Sequence, residues 1–424
     1  MFKQYSFMLI VIISASFFDG NASASIAGMS IGEQSATDNK VMRLYHDADW
    51  SNHVESAESI WRGVELALSE VNHTVQGYRI EWIKKNHRGN VVRSLRNNSD
   101  FLKDDKALAI ISGIHSPPLI KNRSFINENK ILTLVPWAAG GPITRYPSTN
   151  NWVFRLSVDD TRAGGVLVNY ALKFKACKQP HLLLENSPWG DSNLKNMAVA
   201  LKKSNIPIPN VTRFSWNVKS FTASAMLLDI VDKGADCILF VSNAPEGIQF
   251  AEAMTRLNPS KRLPIISHWG ITAGDFHERI DAAKRKEIDL SFIQSCFSFN
   301  QMPLSTKGLS VLNKAKKLFP NAIKSAKDIH SPVGFIHGYD LTKLLLAAMG
   351  SVTLGDDVKE NKALVRSALE AINKPIEGLV KTYSKPFSVY SKTNIDAHEA
   401  LGENDYCMAF YNEDNSIILH KESI

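Results

Sequence analysis

Ala-Leu-Ala-Ile-Ile-Ser-Gly-Ile-His-Ser-Pro-Pro, residues 107–118, opens as an unbroken apolar run and closes on a glycine, a serine and two prolines. Such a run predicts a strand buried on both faces, as in a parallel sheet. Ser116 followed by Pro117 predicts the cap and first residue of a helix. The unit recurs along the chain. Apolar runs at 131–135, 181–184, 237–241 and 263–267 predict further buried strands, with an alternating strand at 78–83 and a weaker one at 41–45. Helices are expected over 58–72, 117–127, 161–174, 193–204, 245–257 and 339–349; in the first, Ile60, Val64, Ala67, Leu68 and Val71 share one face. Strands alternating with helices predict βαβ units and an α/β fold. Two sheets are expected, one from residue 25 to about 155 and one from there to about 290, the remainder returning to one or both.

The chain has 424 residues, which is long for one core and suits two lobes. It is 44% hydrophobic and 21% charged, a globular composition. The net charge of +7 is a mild, scattered excess. Its densest cluster, Lys284-Arg285-Lys286, reads as a solvated helix end, and no nucleic-acid partner is expected. Lys3, the apolar stretch 7–18 and Ala22-Ser23-Ala24 predict a secretory signal over 1–24 and an exported, periplasmic protein that is not lipidated.

Four cysteines, Cys177, Cys237, Cys296 and Cys407, allow three disulfide pairings in an oxidising compartment. Their apolar settings favour buried, unpaired thiols. The histidines show no metal-ligand spacing along the chain, and no Gly-x-Ser-x-Gly, His-Glu-x-x-His, Walker or Gly-x-Gly-x-x-Gly motif occurs. No enzyme activity, cofactor or metal is therefore expected.

Four tryptophans stand beside small, breaker or charged residues: Trp50 in 47–51, Trp137 in 136–142, Trp189 in 187–191 and Trp269 in 267–270. Three of them directly follow an expected strand, and Trp50 follows the weaker one. Ligands of open α/β sheets sit beyond the carboxyl ends of the strands. The four are thus expected to converge on one crevice, as an aromatic pocket for an amine, a planar aromatic or a sugar face, although one or two could instead pack beneath loops. Asp47 and Asp49 are candidates to pair a cationic ligand, or else solvated loop acids. His115 and His268 are candidates for hydrogen bonds to ligand oxygens or to backbone. Asn243 reads first as a helix cap and second as a ligand contact. Arg155 reads as a brace near a crossover.

The order of several motifs resembles the type I periplasmic binding proteins, the branch with the leucine/isoleucine/valine-binding proteins of ABC importers. They are 113–118, Asn-Lys-Ile-Leu-Thr-Leu-Val-Pro-Trp-Ala-Ala-Gly-Gly-Pro-Ile-Thr (129–144), Val-Phe-Arg-Leu-Ser (153–157), the helix 62–72, Trp-Gly-Asp (189–191) and His-Gly-Tyr-Asp-Leu (337–341). The resemblance covers nearly the whole exported chain. It implies two Rossmann-like lobes with parallel sheets, joined by three hinge crossovers and closing over a ligand. On that pattern residues 25–155 plus 293–404 form lobe 1, and 156–292 plus 405–424 form lobe 2.

The resemblance also implies site residues. Ser116 matches the family's carboxylate-binding serine. The matching threonine falls on Ala139, so only the backbone of Ala138 and Ala139 remains there. The family's ammonium-binding acid falls near Trp269, its tyrosine is kept as Trp189, and an aromatic falls at Asn243 or Ala244. The expected ligand set is Trp50, His115, Ser116, Trp137, Ala138, Ala139, Trp189, Asn243 and Trp269. The expected function is a monomeric receptor that delivers an amino-acid-like, amine or aromatic solute to an ABC permease. The alternative is a ligand-sensing partner of a membrane kinase or cyclase.

Overall fold

A computed structural model describes residues 40–207 and 209–420. The expected secretory signal, residues 1–24, lies outside the described residues. In chain order the first half contains β1 (Val41–Ala48), α1 (Val54–Ser69), β2 (Thr74–Val75), β3 (Tyr78–Asn86), α2 (Val91–Lys103), β4 (Ala107–Ser112), α3 (Ser116–Glu128), β5 (Thr133–Val135) and β6 (Val153–Arg155). Next come α4 (Asp160–Phe174), β7 (Pro180–Glu185), α5 (Pro188–Lys203), β8 (Val211–Phe214), α6 (Ser220–Asp232), β9 (Cys237–Val241), α7 (Ala244–Arg256) and β10 (Ile265–Ser267). The last part holds α8 (Phe276–Arg279), α9 (Ala282–Lys286), β11 (Leu290–Ser295), α10 (Thr306–Leu318), α11 (Pro332–Gly350) and α12 (Val358–Glu370). It ends with the short ladder β12 (Ile376–Glu377) and β13 (Thr382–Tyr383), then β14 (Tyr406–Tyr411) and β15 (Ile417–Leu419).

The strands form two large sheets, one in each of two lobes. The first runs β2-β3-β1-β4-β5-β6 and the second β15-β14-β11-β10-β9-β7-β8. Pairing is parallel except at the edges, where β2 joins β3, and β14 joins β11 and β15, antiparallel. Every residue of β4, β7 and β9 is buried, so the unbroken apolar runs are the central strands of sheets covered on both faces.

The chain enters the second sheet after β6, returns to pack α10–α12 on the first, and crosses again before β14. The main return is α11 against α1. Gly63 and Gly338 allow that crossing: a Cβ on Gly63 would stand 2.1 Å from the Phe335 carbonyl oxygen, and one on Gly338 2.7 Å from that of Ile60.

Two expectations need correction. Helix α11 begins at Pro332, well before 339, because a proline is suited to a helix's first turn. The cysteines are not free thiols: Cys177 pairs with Cys237 and Cys296 with Cys407, with Cα atoms 5.8 and 5.0 Å apart. Both separations lie in the disulfide range. Cys296 follows β11 while Cys407 lies in its antiparallel neighbour β14, so sheet pairing brings together residues 111 apart in sequence.

Candidate functional site

The carboxyl ends of β4, β5, β7, β9 and β10 meet around a narrow cavity. The β4–α3 turn brings Ile114, His115, Ser116 and Pro117 to it, and the loop after β5 brings Trp137 and Ala139. From the other sheet come Glu185 at the end of β7, Trp189 in the first turn of α5, Asn243 before α7, and Trp269 with Gly270 after β10. Trp137 and Trp269 meet edge to face across the cleft, their ring centroids 6.3 Å apart. Gly270 is required for the close packing, since a Cβ there would come within 2.4 Å of the Ser242 carbonyl oxygen and 2.9 Å of the Trp189 ring.

The polar groups are unevenly satisfied. The Trp137 indole N–H is buried with no hydrogen-bond partner, and the Trp137 side chain borders the cavity. Trp189 donates its indole N–H to Asp160 at 3.2 Å. His268 Nε2 stands 3.1 Å from the same Asp160 oxygen without hydrogen-bond geometry, and its Nδ1 accepts from the Trp269 amide.

Glu185 is 1% exposed. Among the described residues its carboxylate has one hydrogen bond, from Asn243 Nδ2 at 3.4 Å, and no ion pair. The nearest arginine, Arg213, donates to the Glu185 main-chain carbonyl and spends its charge on Asp191. A buried carboxylate without a cation is costly.

A family model described as "Periplasmic binding protein" matches residues 51–384. The chain belongs to the periplasmic binding proteins. No protein of curated function matches it significantly in sequence. Among solved structures it resembles a type 1 periplasmic binding protein from Bordetella pertussis Tohama I, at 16% identity and TM-score 0.74, over 90% of this chain and 100% of that one. It also resembles the branched-chain amino acid transporter substrate-binding protein LivJ of Streptococcus pneumoniae in complex with isoleucine, at 17% identity and TM-score 0.71, over 90% and 100% of the two chains. A third is a solute-binding protein of an ABC transporter from R. palustris in complex with benzoate, at 16% identity and TM-score 0.70, over 89% and 95%. At these identities the likeness is one of fold.

In this periplasmic binding protein the expected ligand residues divide. His115, Ser116, Trp137, Ala139, Trp189, Asn243 and Trp269 line the cavity. Trp50 does not: it folds back on the β1–β3 surface, with Lys84 Nζ 3.7 Å from its ring centre and His46 edge-on. Ala138 packs behind the wall among Tyr45, Ile110 and Val135, because successive residues of the extended loop point to opposite sides. Ser116 is not a cap; His115 takes the cap position, and the Ser116 hydroxyl accepts from the Gly140 amide at 3.0 Å. With Pro117 and Pro118 behind it, α3 also offers few free amides. Asn243 sits at a cap position but makes no side-chain cap bond, turning to Glu185 instead.

The two loop acids go elsewhere. Asp47 accepts from Ser94 and Asn97 at 2.6 Å each, and burial pushes its carboxyl up to about 7 against those bonds. Asp49 accepts from the Ser51 and Asn52 amides and faces His115 at 3.4 Å. Burial would raise it, but the bonds from His115, Asn52 and Ser51 hold it well below the usual range.

Glu185 and Gly270 escaped the sequence reading. Glu185 ends an apolar run, where an acid reads as the solvated end of a strand. Arg155 is fully buried at the end of β6, bonded to Glu399 at 2.8 and 2.6 Å, to Asp159 at 2.8 Å and to the Gly140 carbonyl. Lack of metal-ligand spacing along the chain also proves a poor guide, since the fold gathers Asp49, His53 and His115.

Proposed function

We propose that this chain is the exported receptor of an ABC importer, closing its two lobes over a small solute with an ammonium group, either an amine or an amino-acid-like zwitterion. One observation carries the reading: Glu185, buried in the cavity wall, lacks a cationic partner among the described residues and stands with Trp189, Trp269 and Trp137 around the same space. A carboxylate beside aromatic faces attracts an ammonium by charge and by cation–π contact. It takes the place of the family acid whose position falls near Trp269.

The opposite wall suits an acceptor atom. It offers the Trp137 indole N–H and the Ser116 hydroxyl, a fit for the carboxylate of a zwitterion. The isoleucine of the LivJ complex is such a solute, and the benzoate of the R. palustris complex satisfies only that half.

The proposed lobes are residues up to 155 with 293–404, and 156–292 with 405–424. Strand membership supports this division to within the three residues, 293–295, by which β11 runs past 292. Hinges then fall after Arg155, after Ser295 and near 404. A periplasmic location follows from the family and the reading of 1–24; no helix of the described residues is long and apolar enough to cross a membrane.

A thermal-shift screen of amines, amino acids and aromatic acids tests the proposal, since a ligand that binds only the folded state raises the melting temperature. Ammonium-bearing solutes should stabilise the protein. If aromatic acids alone do so, the assignment of Glu185 is wrong. Uptake by cells lacking the gene tests the importer; unchanged uptake of a solute that binds tightly would favour a membrane sensor as partner.

A further inference from the structure

We propose that Asp49, His53 and His115 bind one divalent transition-metal ion of the zinc class at the rim of the solute cavity. Two loops bring the donors together: Asp49 and His53 stand four residues apart on the loop between β1 and α1, and His115 precedes α3. Their ligand atoms all lie within 4.8 Å of one another. Two imidazoles and a carboxylate are a donor set that zinc accepts. Tetrahedral bonds of about 2.0–2.1 Å place neighbouring ligand atoms roughly 3.3 Å apart. Asp49 Oδ2 and His115 Nε2 already stand at 3.4 Å.

That spacing is longer than the roughly 2.7–2.9 Å of a strong charge-assisted hydrogen bond, so the direct Asp49–His115 bond is a weak one that an ion between the two atoms would replace. His53 points the same way. Its ring packs edge-on to His115, centroids 4.6 Å apart, and has no hydrogen-bond partner among the described residues. Asp49 is held in place: its Oδ1 takes the Ser51 and Asn52 amides at 3.0 and 2.9 Å, and its Oδ2 takes the Asn52 side-chain amide at 3.1 Å. Such fixing of a carboxylate by neighbouring donors is what orients metal ligands.

His87 lies close to His115, at 5.8 Å between centroids, but is not a fourth ligand. Its Nδ1 accepts from the Gly89 amide at 2.9 Å, which leaves the proton of the neutral ring on Nε2. Three protein ligands leave a fourth position for water or a ligand atom. Because His115 also borders the cavity, the ion stands one side chain from the solute.

The test is a calorimetric titration of the EDTA-stripped protein with zinc chloride, without solute. One ion per chain is expected, with affinity reduced at least tenfold in His53→Ala and in Asp49→Asn. His330→Ala, which removes half of the stacked His277–His330 pair elsewhere, should leave it unchanged. Cobalt in place of zinc should give the visible absorption of a tetrahedral site, lost in His53→Ala. Metal-free melting curves establish that each variant folds, and half-exposed His53 is the safer position. Absence of saturable binding, or binding indifferent to both His53→Ala and Asp49→Asn, overturns the proposal. Glu185→Gln should bind zinc as the native chain does, which separates this test from that of the solute.

Discussion

In the proposed function Glu185 and Trp137 would divide the recognition of a zwitterion between them, one accepting and one donating. Charge-assisted hydrogen bonds contribute about 1.5–3 kcal/mol and neutral ones about 0.5–1.5. Glu185→Gln should therefore weaken binding of an ammonium-bearing solute by roughly 10–100-fold, and Trp137→Phe, which keeps a ring but loses the N–H, by roughly 2–10-fold. Calorimetry on both variants checks the order; an equal loss would mean that charge is not what Glu185 supplies. At this scale the sequence was half legible. Aromatics after strands were visible because the strand ends were. Ala138 and Ala139 could not be separated, since their difference is the side to which an extended residue points. Glu185 was hidden because burial of a carboxylate is a property of the neighbours that cover it.

Helix α11 shows what one element must satisfy at once. It packs on α1 through glycines and carries His337 into the space between Pro136 and Ser295, bonded to the carbonyl of one and the hydroxyl of the other, both at 3.0 Å. Burial lowers the His337 pKa to about 4. A folded-state pKa below the unfolded value near 6.5 means that the unfolded chain takes up the proton first as pH falls. The stability tied to the neutral ring is present above pH 6.5 and is lost between there and about 4. His337→Gln has no such loss, so between pH 7 and 5 the native protein should lose about 2 kcal/mol more than the variant in denaturant titrations. Gly63→Ala tests the crossing itself: with the Phe335 oxygen 2.1 Å from the new Cβ, overpacking should cost about 1–3 kcal/mol or more. Central strands and α1 were readable because period and apolarity agree there. The helices α2 and α6 were not, because α2 is rich in polar residues and α6 leaves Phe221 and Leu228 exposed, which blurs its apolar face.

At the scale of the whole molecule the question is what holds the closed form together when each lobe has its own sheet. Near the first crossing stands a buried cluster of charges. Arg155 and Arg145 share Asp159, and Arg155 also grips Glu399, which belongs to the returning segment before β14. Such groups are matched within the cluster and stand by the proposed hinge after Arg155, where they would fix the axis without pulling the lobes shut. The lobes also meet through Trp137 with Trp269, the Gly141 amide to Ser192, Trp216 against His115, the Gly274 amide to Ser331 and His277 stacked on His330. The wall carries a carboxylate without a cation and an N–H without an acceptor, which opening to water would satisfy and a solute would satisfy better. The solute-free protein should therefore open, and binding should supply the closing energy. A solute at 100 times its dissociation constant should stabilise the fold by about 2.7 kcal/mol. It should also shrink the radius of gyration in solution scattering and protect Trp137 and Trp269, both 1% exposed in this structure, from acrylamide quenching. Trp137→Phe and Trp269→Phe, taken one at a time, should each remove part of the quenching that solute suppresses. Should solute raise the melting temperature while scattering and quenching stay constant, the lobes are already closed without it, and the energy assigned to closure must come from the cavity contacts alone.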